Sequence, residues 1–438
     1  MEQRTHLWIA LLWCVAVSLV WTPGEVQAAA QAPLFVHRNG HLISGPFLDF
    51  YERHGGVESF GEPRTDAFIE PGGLTVQYFD YARFEWHDQV VLTDLGRQAA
   101  AGHANAAAFA WVAPGSPISE GRVYVPEAGH TVGGAFGWFW QTHGEVTLLG
   151  YPISEELEEQ LPDGSRVLTQ YFERAVLTYH PERAGTSDEV RRLPLGKRLA
   201  PERPTTRPPA VLAEARLPFR PGSGDGHNIA VAMERLHGRV LAPGATLSFL
   251  GAIGPISREN GYVGGSAIVG GRIVTDAVGG GVCTVSTLLY RAAWQAGLPV
   301  EERRGHSLWL QMYADRPGLE AAVDDPSLDL VIRNDTSSPI FIEAVATNGG
   351  ATLRLWGVPD GRVVTLDSPI VRSNAAASSD SSAPVPAPNY REAGATVINT
   401  RIIGQPGRAT REERIVTVYA PMSVPEEQDQ EPEEAGRS

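Results

Sequence analysis

The sequence predicts an α+β fold in which a helix that carries a cysteine packs on a mainly antiparallel sheet. Three observations favour it. Between Gly281 and Ala296, apolar residues recur every three or four positions, and Gly297 follows where a helix C-cap is expected. The segments after this helix are short and rich in strand-forming residues, and a helix followed by strands is an α+β pattern. Two copies of a smaller unit come earlier and add two small α+β modules.

The start of the predicted helix is the first candidate site. Cys283 follows a glycine run at 279–281, so it lies at the helix N-terminus. There the helix dipole and the free N–H groups favour a thiolate, and we expect a lowered pKa for the Cys283 thiol. His306 opens a later segment of strand-like residues. A Cys283–His306 pair would supply the nucleophile and the base of a thiol enzyme.

Two other interpretations of this stretch stay open. A lone cysteine is commonly a buried, inert residue. A glycine loop that leads into a helix also binds anions through its N–H groups, and the ligand would be a peptide carboxylate or a phosphate group. No Gly-Lys-Ser follows the loop, so we predict no nucleotide site and expect no cofactor. The residues expected to contact an anion are Gly279, Gly280, Gly281 and Arg304.

Composition and the first residues indicate the compartment. The formal net charge of −15 argues against nucleic acid as a partner. Residues 1–28 have the pattern of a signal peptide, with an apolar run that ends at Trp21 and small residues before a cleavage point near Ala28. We therefore expect a secreted, extracytoplasmic protein, attached to a membrane only if this segment stays uncleaved. Cleavage would leave Cys283 as the single cysteine.

Residues 35–97 and 124–197 are two copies of one unit. Each is predicted to contain a short helix, a Gly-x-Pro turn and a hairpin. The repeated histidines lack the close spacing of metal ligands, so we expect packed or turn-fixing histidines and no metal site. Matching positions include Phe47, Phe50 and His54 in the first copy, which align with Phe136, Phe139 and His143 in the second.

The other segments are assigned from composition and pattern. The chain is predicted to continue with a Pro-rich linker at 198–222, a domain at 223–360, a disordered linker at 373–388, a small β-hairpin segment at 390–421 and an acidic disordered tail at 426–438. Within the domain, Asn228 is predicted to cap the first helix. Strands after the cysteine helix are expected at 306–313, 319–324, 328–333 and 339–345.

Several short motifs of the domain occur in a known family. Over residues 226–343 the chain resembles the VanW family of bacterial cell-envelope proteins. The family is named after glycopeptide-resistance gene clusters, so the resemblance implies a cell-wall setting without specifying a reaction. The two preceding modules resemble LGFP-type repeats of secreted and wall-associated proteins. The motifs that carry the VanW resemblance include His227-Asn228-Ile229, Gly254-Pro255, Gly279-Gly280-Gly281-Val282-Cys283, His306-Ser307 and Pro317-Gly318-Leu319.

The resemblance also implies a third site residue. The family has an acid after Gly-Leu, which is Glu320 in this chain, and Asp324 is the alternative. A nucleophile on a helix, followed by histidine and acid on strands, is also the order of papain-like and transglutaminase-like thiol folds. By this analogy the protein would be a cysteine-dependent acyltransferase or amidase that acts on peptidoglycan peptides.

Three departures from the family pattern keep a second function open. Thr284, Arg304 and Glu320 stand where the family usually has glutamine, histidine and aspartate. Loss of one oxyanion-stabilising side chain alone can cost about 3 kcal/mol of transition-state stabilisation. The alternative is a non-catalytic protein that binds a cell-wall polymer such as peptidoglycan, an anionic ligand or a wall-associated protein.

Overall fold

The fold is that of a computed structural model, which describes residues 33–103, 106–160, 164–269, 272–374 and 390–421. Short helices and antiparallel sheets make up these ranges, which confirms the α+β prediction. The predicted signal peptide at 1–28, the tail at 426–438 and nearly all of the linker at 373–388 lie outside the described residues. Within the described ranges, no helix has both the length and the apolar character needed to cross a membrane.

The first module combines a hairpin, two short helices, a four-stranded sheet and a closing helix. Its core is aromatic, because Phe47, Phe60, Phe79 and Phe84 are all buried and pack together. In chain order its elements are β1 (Phe35–Arg38), β2 (His41–Ser44), α1 (Gly45–Arg53), α2 (Gly56–Phe60), β3 (Phe68–Ile69), β4 (Thr75–Tyr78), β5 (Arg83–Trp86), β6 (Val90–Leu92) and α3 (Leu95–Ala100).

The second module repeats the same order of elements. Short 3₁₀ turns at Ala101–His103 and Ala107–Phe109 precede it. Its elements are β7 (Arg122–Val125), β8 (His130–Gly133), α4 (Gly134–Thr142), α5 (Glu145–Leu148), β9 (Leu157–Gln160), β10 (Arg166–Tyr171), β11 (Val176–Tyr179), β12 (Val190–Arg192) and α6 (Leu195–Leu199).

Matching side chains make matching contacts in the two modules. The buried amides of Gln77 and Gln170 each donate two hydrogen bonds of 2.7–2.9 Å to main-chain carbonyls of their own module. His54 and His143 each contact the carbonyl of the phenylalanine four residues earlier at 2.9 Å and stack on its ring. These two histidines are therefore held by packing, and no group of residues in the described ranges has the arrangement of a metal site.

The closing helix of each module contacts the other module. In α3, the N–H of Arg97 donates to the carbonyl of Glu173 in the second module at 3.0 Å. In α6, the N–H of Lys197 donates to the carbonyl of Asp80 in the first module, also at 3.0 Å. Gly96 and Gly196 leave no room for a side chain at these contacts, since a Cβ atom would meet the carbonyl of Phe172 or Phe79. The two modules thus form one reciprocal unit.

The segment predicted as a linker is partly a strand. Residues 200–209 have no regular secondary structure, and the N–H of Thr206 donates to the carbonyl of Gly40 at 2.8 Å. The prediction of a linker up to residue 222 is wrong, because Ala210–Pro218 is β13 and pairs along its length with a strand of the central domain. The main-chain groups of β13 form hydrogen bonds with this strand, whereas those of a free linker would form them with water.

The central domain contains three antiparallel sheets and two helices of 13 and 14 residues. Its elements after β13, in chain order, are α7 (Gly224–Leu236), β14 (Val240–Leu241), β15 (Thr246–Ser248), α8 (Phe249–Ile253), β16 (Gly264–Val269), β17 (Arg272–Val278), α9 (Val282–Gln295), β18 (Val300–Glu302), β19 (Val331–Arg333), β20 (Ile340–Thr347) and β21 (Gly350–Gly357). The sheet orders are β13-β21-β20-β14, β15-β19-β18 and β16-β17.

Helix α9 is the predicted cysteine helix, and its end matches the sequence. Gly297 has φ +68°, and the N–H groups of Gly297 and Leu298 donate to the carbonyls of Trp294 and Ala293. This is a Schellman C-cap. Every residue from Thr284 to Trp294 is buried, so this helix is enclosed on more than the apolar face that the periodicity indicates.

The C-terminal strands contact the end of α9. They are β22 (Val363–Leu366), β23 (Ile370–Ser373), β24 (Ala395–Gly404) and β25 (Arg411–Tyr419), with the short helix α10 (Tyr390–Ala393) before β24. The hairpin predicted for 390–421 exists, but β24 also pairs with β22 and β23 to form a four-stranded sheet. The Arg401 guanidinium donates to the carbonyls of Trp294 and Leu298 at 2.9 and 2.8 Å, so the sheet is joined to the helix end.

Candidate functional site

Cys283 is the second residue of α9, as predicted. The N-cap is Gly281, whose φ of +94° lies in the left-handed region that favours glycine. The side chain is partly exposed, while its helical neighbours Val282 and Thr284 are buried. The chain therefore places its thiol at a helix start, at the edge of the buried core.

The glycine run packs closely against neighbouring main chain. A Cβ atom on Gly280 would lie 2.3 Å from the carbonyl carbon of Gly265 in β16, and one on Gly281 would lie 2.8 Å from the carbonyl oxygen of Asp225 in α7. The N–H groups of Gly279 and Gly280 donate to main-chain carbonyls at 3.0 Å. These two donors are used within the fold, so an anion at the loop would find fewer N–H groups than the sequence indicates.

Asn228 holds the same loop in place. Its side chain donates to the carbonyls of Val263 and Gly280 at 2.9 Å and accepts from the N–H of Val263 at 2.8 Å. The prediction that Asn228 caps α7 is wrong, because the cap is Ser223, whose hydroxyl accepts from the N–H of Gly226 at 3.0 Å. Asn228 is buried within the helix, where its amide can reach two loops.

The thiol of Cys283 contacts the main chain of Val323. The N–H of Val323 lies 3.4 Å from the sulfur, and the sulfur lies 3.6 Å from the carbonyl oxygen of the same residue. Burial raises the pKa of the Cys283 thiol, and the nearby carboxylate of Asp324 raises it further. The hydrogen bond from the N–H of Val323 lowers the pKa, but the net shift is upward. The expected lowering of this pKa is therefore wrong, because desolvation outweighs the main-chain hydrogen bonds that lower it.

His306 lies in an irregular segment and not in the predicted strand at 306–313. It is buried, and its ring stacks on Tyr313 with the centroids 5.3 Å apart. Burial, with a smaller contribution from Arg303, lowers the pKa of His306 to about 4, so the imidazole is neutral at pH 7. Its Nδ1 atom has no hydrogen-bond partner among the described residues.

Tyr313 connects His306 with the helix start. The ring stacks on His306, and the phenol lies near enough to Thr284, Thr287 and Cys283 of α9 to interact with them electrostatically. Among the hydrogen bonds that the described residues make, none joins Cys283 to His306. Apo enzymes often have loose catalytic contacts, so the Cys–His pair stays a prediction.

Glu320 bonds to the C-terminal sheet. The segment predicted as a strand at 319–324 has only isolated bridges, and within it Glu320 is buried. Burial raises the pKa of this carboxyl, which accepts a 2.5 Å hydrogen bond from the Tyr419 hydroxyl of β25. Asp324 is exposed and accepts from Ser327 at 2.7 Å. Among the described residues, Glu320 and Asp324 thus form their hydrogen bonds with residues other than His306.

The two arginines beside His306 have different surroundings. Arg303 is part of the fold, since its guanidinium donates to the carbonyls of Glu320 and Gly318 at 2.7 Å and lies over the ring of Tyr290. The side chain of Arg304 is exposed, and its main chain pairs with Ala322. Arg304 is therefore the cation of this stretch that a ligand could reach.

The strand β25 is the part of the site that sequence reasoning missed. Thr417 and Tyr419 point inward and bond Gly318 and Glu320, and the N–H of Ala420 donates to the carbonyl of Ser307 at 2.7 Å. The sequence carried no clear signal, because Val416 and Val418 alternate with Thr417 and are exposed, while the polar Thr417 is buried. A buried polar side chain requires a hydrogen-bonding partner on the surface that it covers.

Comparison with known proteins identifies relatives of the central domain. Residues 224–356 match the family model described as VanW like protein. The chain is 32% identical over 130 residues to the uncharacterized protein YoaR of Bacillus subtilis (strain 168), which is 30% of this chain and 42% of that protein. It is 30% identical over 112 residues to the vancomycin B-type resistance protein VanW of Enterococcus faecalis (strain ATCC 700802 / V583), which is 25% of this chain and 40% of that protein.

The family model matches this domain alone and covers less than half of the chain. The chain spans less than half the length of these curated relatives. No solved structure matches the chain. The findings therefore place a VanW-family domain at residues 224–356, while the two modules and the C-terminal sheet lie outside the matched range.

Proposed function

We propose that this chain, whose residues 224–356 form a VanW-family domain, is a secreted cell-wall-binding protein in which Cys283 is not a nucleophile. The observation that carries the proposal is the environment of the thiol. Its sulfur contacts the main chain of Val323, and burial raises its pKa. A nucleophilic cysteine needs the opposite, a thiolate stabilised by a cation or a nearby base.

The cell wall is the proposed partner for two reasons. One relative is described as a vancomycin B-type resistance protein, and vancomycin acts on the bacterial cell wall. The first 28 residues have the pattern of a secretory signal, which would deliver the chain to that compartment. The two modules then provide a surface separate from the VanW-family domain, and we assign polymer binding to them.

A second function is kept because one observation favours it. Cys283 is partly exposed at a helix N-terminus, where an acyl group could be accepted. In that case the thiol would form a thioester with a peptidoglycan stem peptide and release the amine of the cleaved amide. His306 would have to approach the sulfur and take its proton, and its pKa of about 4 makes it a weak base at neutral pH.

Co-sedimentation with purified peptidoglycan sacculi tests the proposal. We expect the full chain and its Cys283→Ser variant to sediment with sacculi to the same extent, because the thiol takes no part in binding. Neither protein should release peptides or amines from the sacculi. Failure of the wild-type chain to sediment would contradict wall binding. Release of peptides by the wild type alone would replace the proposal with thiol acyl transfer.

A further inference from the structure

A groove on the second module has the features of a ligand site. It encloses about 140 Å³ between helix α4 and the loop that joins β11 to β12. Its floor is apolar and consists of Ala135, Phe139 and Val190. Its rim carries an indole, two hydroxyls and a carboxylate, which belong to Trp138, Thr186, Ser187 and Glu189.

Trp138 is the prominent residue of this groove. Its side chain is 60% exposed, although it lies between the buried Phe136 and Phe139 on the same short helix. Single exposed apolar residues are common on proteins, but this indole borders a cavity. At the matching position the first module has Asp49. An aromatic rim residue is thus a feature of the second module alone.

The loop opposite Trp138 is also specific to the second module. In the first module β5 and β6 are joined by a three-residue turn at 87–89, closed by a 2.9 Å bond from the N–H of His87 to the carbonyl of Gln89. In the second module residues 180–189 replace this turn. The loop is ordered by its own bonds, because Glu189 accepts from the N–H of Gly185 at 2.8 Å and its own N–H donates to Thr186. One wall of the groove is therefore preorganised.

The charges around the groove argue against an anionic ligand. No lysine or arginine lines it, and Glu189 places a carboxylate at its edge. Arg183 in the loop and Arg191 in β12 both pair with Asp188, at 3.5 and 3.0 Å. Burial lowers the pKa of His143, which lies 5.9 Å from the Trp138 ring, so this histidine adds little positive charge at pH 7. The groove thus suits a neutral ligand with both apolar and hydroxyl surfaces.

We propose that this groove binds one residue of a neutral N-acetylated amino-sugar chain. The apolar face of the sugar ring would stack on Trp138, and the acetamido methyl would lie on the floor at Ala135 and Val190. The hydroxyls would bond Thr186, Ser187 or the Glu189 carboxylate. The groove is open to solvent, and its volume of about 140 Å³ is close to that of a cavity that holds one benzene molecule, so it would take up part of one sugar residue while the rest stays in water. This inference rests on the proposed wall binding, for which it names the ligand class.

Calorimetric titration of the full chain with tetra-N-acetylchitotetraose tests the groove. We expect saturable binding that the Trp138→Ala variant weakens by at least about tenfold, the equivalent of roughly 1.4 kcal/mol for a lost aromatic contact. Trp111 provides the control, because it is 62% exposed and lies outside the groove, and Trp111→Ala should leave the affinity within about twofold. Maltotetraose, which lacks acetamido groups, should bind more weakly.

A second variant distinguishes loss of the ligand site from misfolding of Trp138→Ala. Ser187→Arg projects a long side chain into the groove from an exposed loop and should weaken binding as Trp138→Ala does. Absence of chitotetraose binding, or unchanged affinity in both groove variants, would overturn the inference. The two assays separate this inference from the proposed function. A chain that sediments with sacculi but does not bind chitotetraose would refute the groove alone. A chain that binds chitotetraose but does not sediment with sacculi would refute wall binding alone.

Discussion

Replacement of Gly280 with alanine should lower the free energy of unfolding of the central domain by about 3 kcal/mol or more. The new Cβ atom would lie 2.3 Å from the carbonyl carbon of Gly265 and 2.4 Å from the nitrogen of Ser266. Both are main-chain atoms that cannot rotate away, and overpacking of this kind typically costs about 1–3 kcal/mol and occasionally more. The shift would also disturb the bond from Asn228 to the carbonyl of Gly280. Urea unfolding followed by circular dichroism measures the change.

Gly404→Ala is the matched control for this substitution. Gly404 ends strand β24, and a Cβ atom there would have no neighbour within 4 Å. We expect its unfolding curve to stay within about 0.5 kcal/mol of the wild type. Equal stability of the two variants would mean that the glycine run is not a packing device, and ligand binding by the loop would regain support.

The wild type should lose about 3 kcal/mol of its free energy of unfolding to protonation of His306 as the pH falls, and replacement of His306 with phenylalanine should remove this loss. The fold lowers the pKa of His306 from 6.5 to about 4, so the folded state favours the neutral ring. This contribution to stability is complete above pH 6.5 and is lost as the pH falls towards 4, because the unfolded chain takes up the proton first. A shift of this size corresponds to about 3 kcal/mol. Phenylalanine keeps a ring against Tyr313 and removes an unpartnered Nδ1 atom.

Urea unfolding of both chains at pH 7, 5.5 and 4 measures this effect. All other titrating groups are common to the two proteins, so their difference isolates His306. We expect the free energy of unfolding of His306→Phe to increase relative to that of the wild type as the pH falls. The opposite trend, in which acid favours the wild type, would indicate an imidazolium stabilised by a partner, as a catalytic histidine beside a thiolate or a carboxylate would be.

The elements that could be predicted from sequence depend on local pattern. The α9 helix, its cap at Gly297 and the hairpin around Gly404 follow from periodicity and glycine placement, and the structure contains all three. The predicted strands at 306–313 and 319–324 are absent, although their residues favour strands. Strand formation requires a neighbouring strand, and these segments are held by isolated bridges and by side chains of β25.

The properties of the site depend on contacts distant in sequence. A helix N-terminus lowers a thiol pKa, and sequence alone supports that expectation. Burial of the sulfur against Val323, about 40 residues later, reverses it. Glu320 was assigned as an orienting acid, and its hydrogen-bond partner is Tyr419, which is 99 residues away. No local pattern reports such pairings, so the positions of Cys283, His306 and Glu320 could be predicted while their surroundings could not.

Alkylation of Cys283 by iodoacetamide as a function of pH tests the central claim most directly. Mass spectrometry of the peptide that contains Cys283 gives the rate for this residue without interference from Cys14. We predict slow labelling at pH 7 and a midpoint of the rate above the ordinary thiol pKa of about 8.5, with no change in the His306→Ala variant. Rapid labelling with a midpoint well below about 8.5, slowed by His306→Ala, would show an activated Cys–His pair and contradict the assignment of Cys283 as a non-nucleophilic residue.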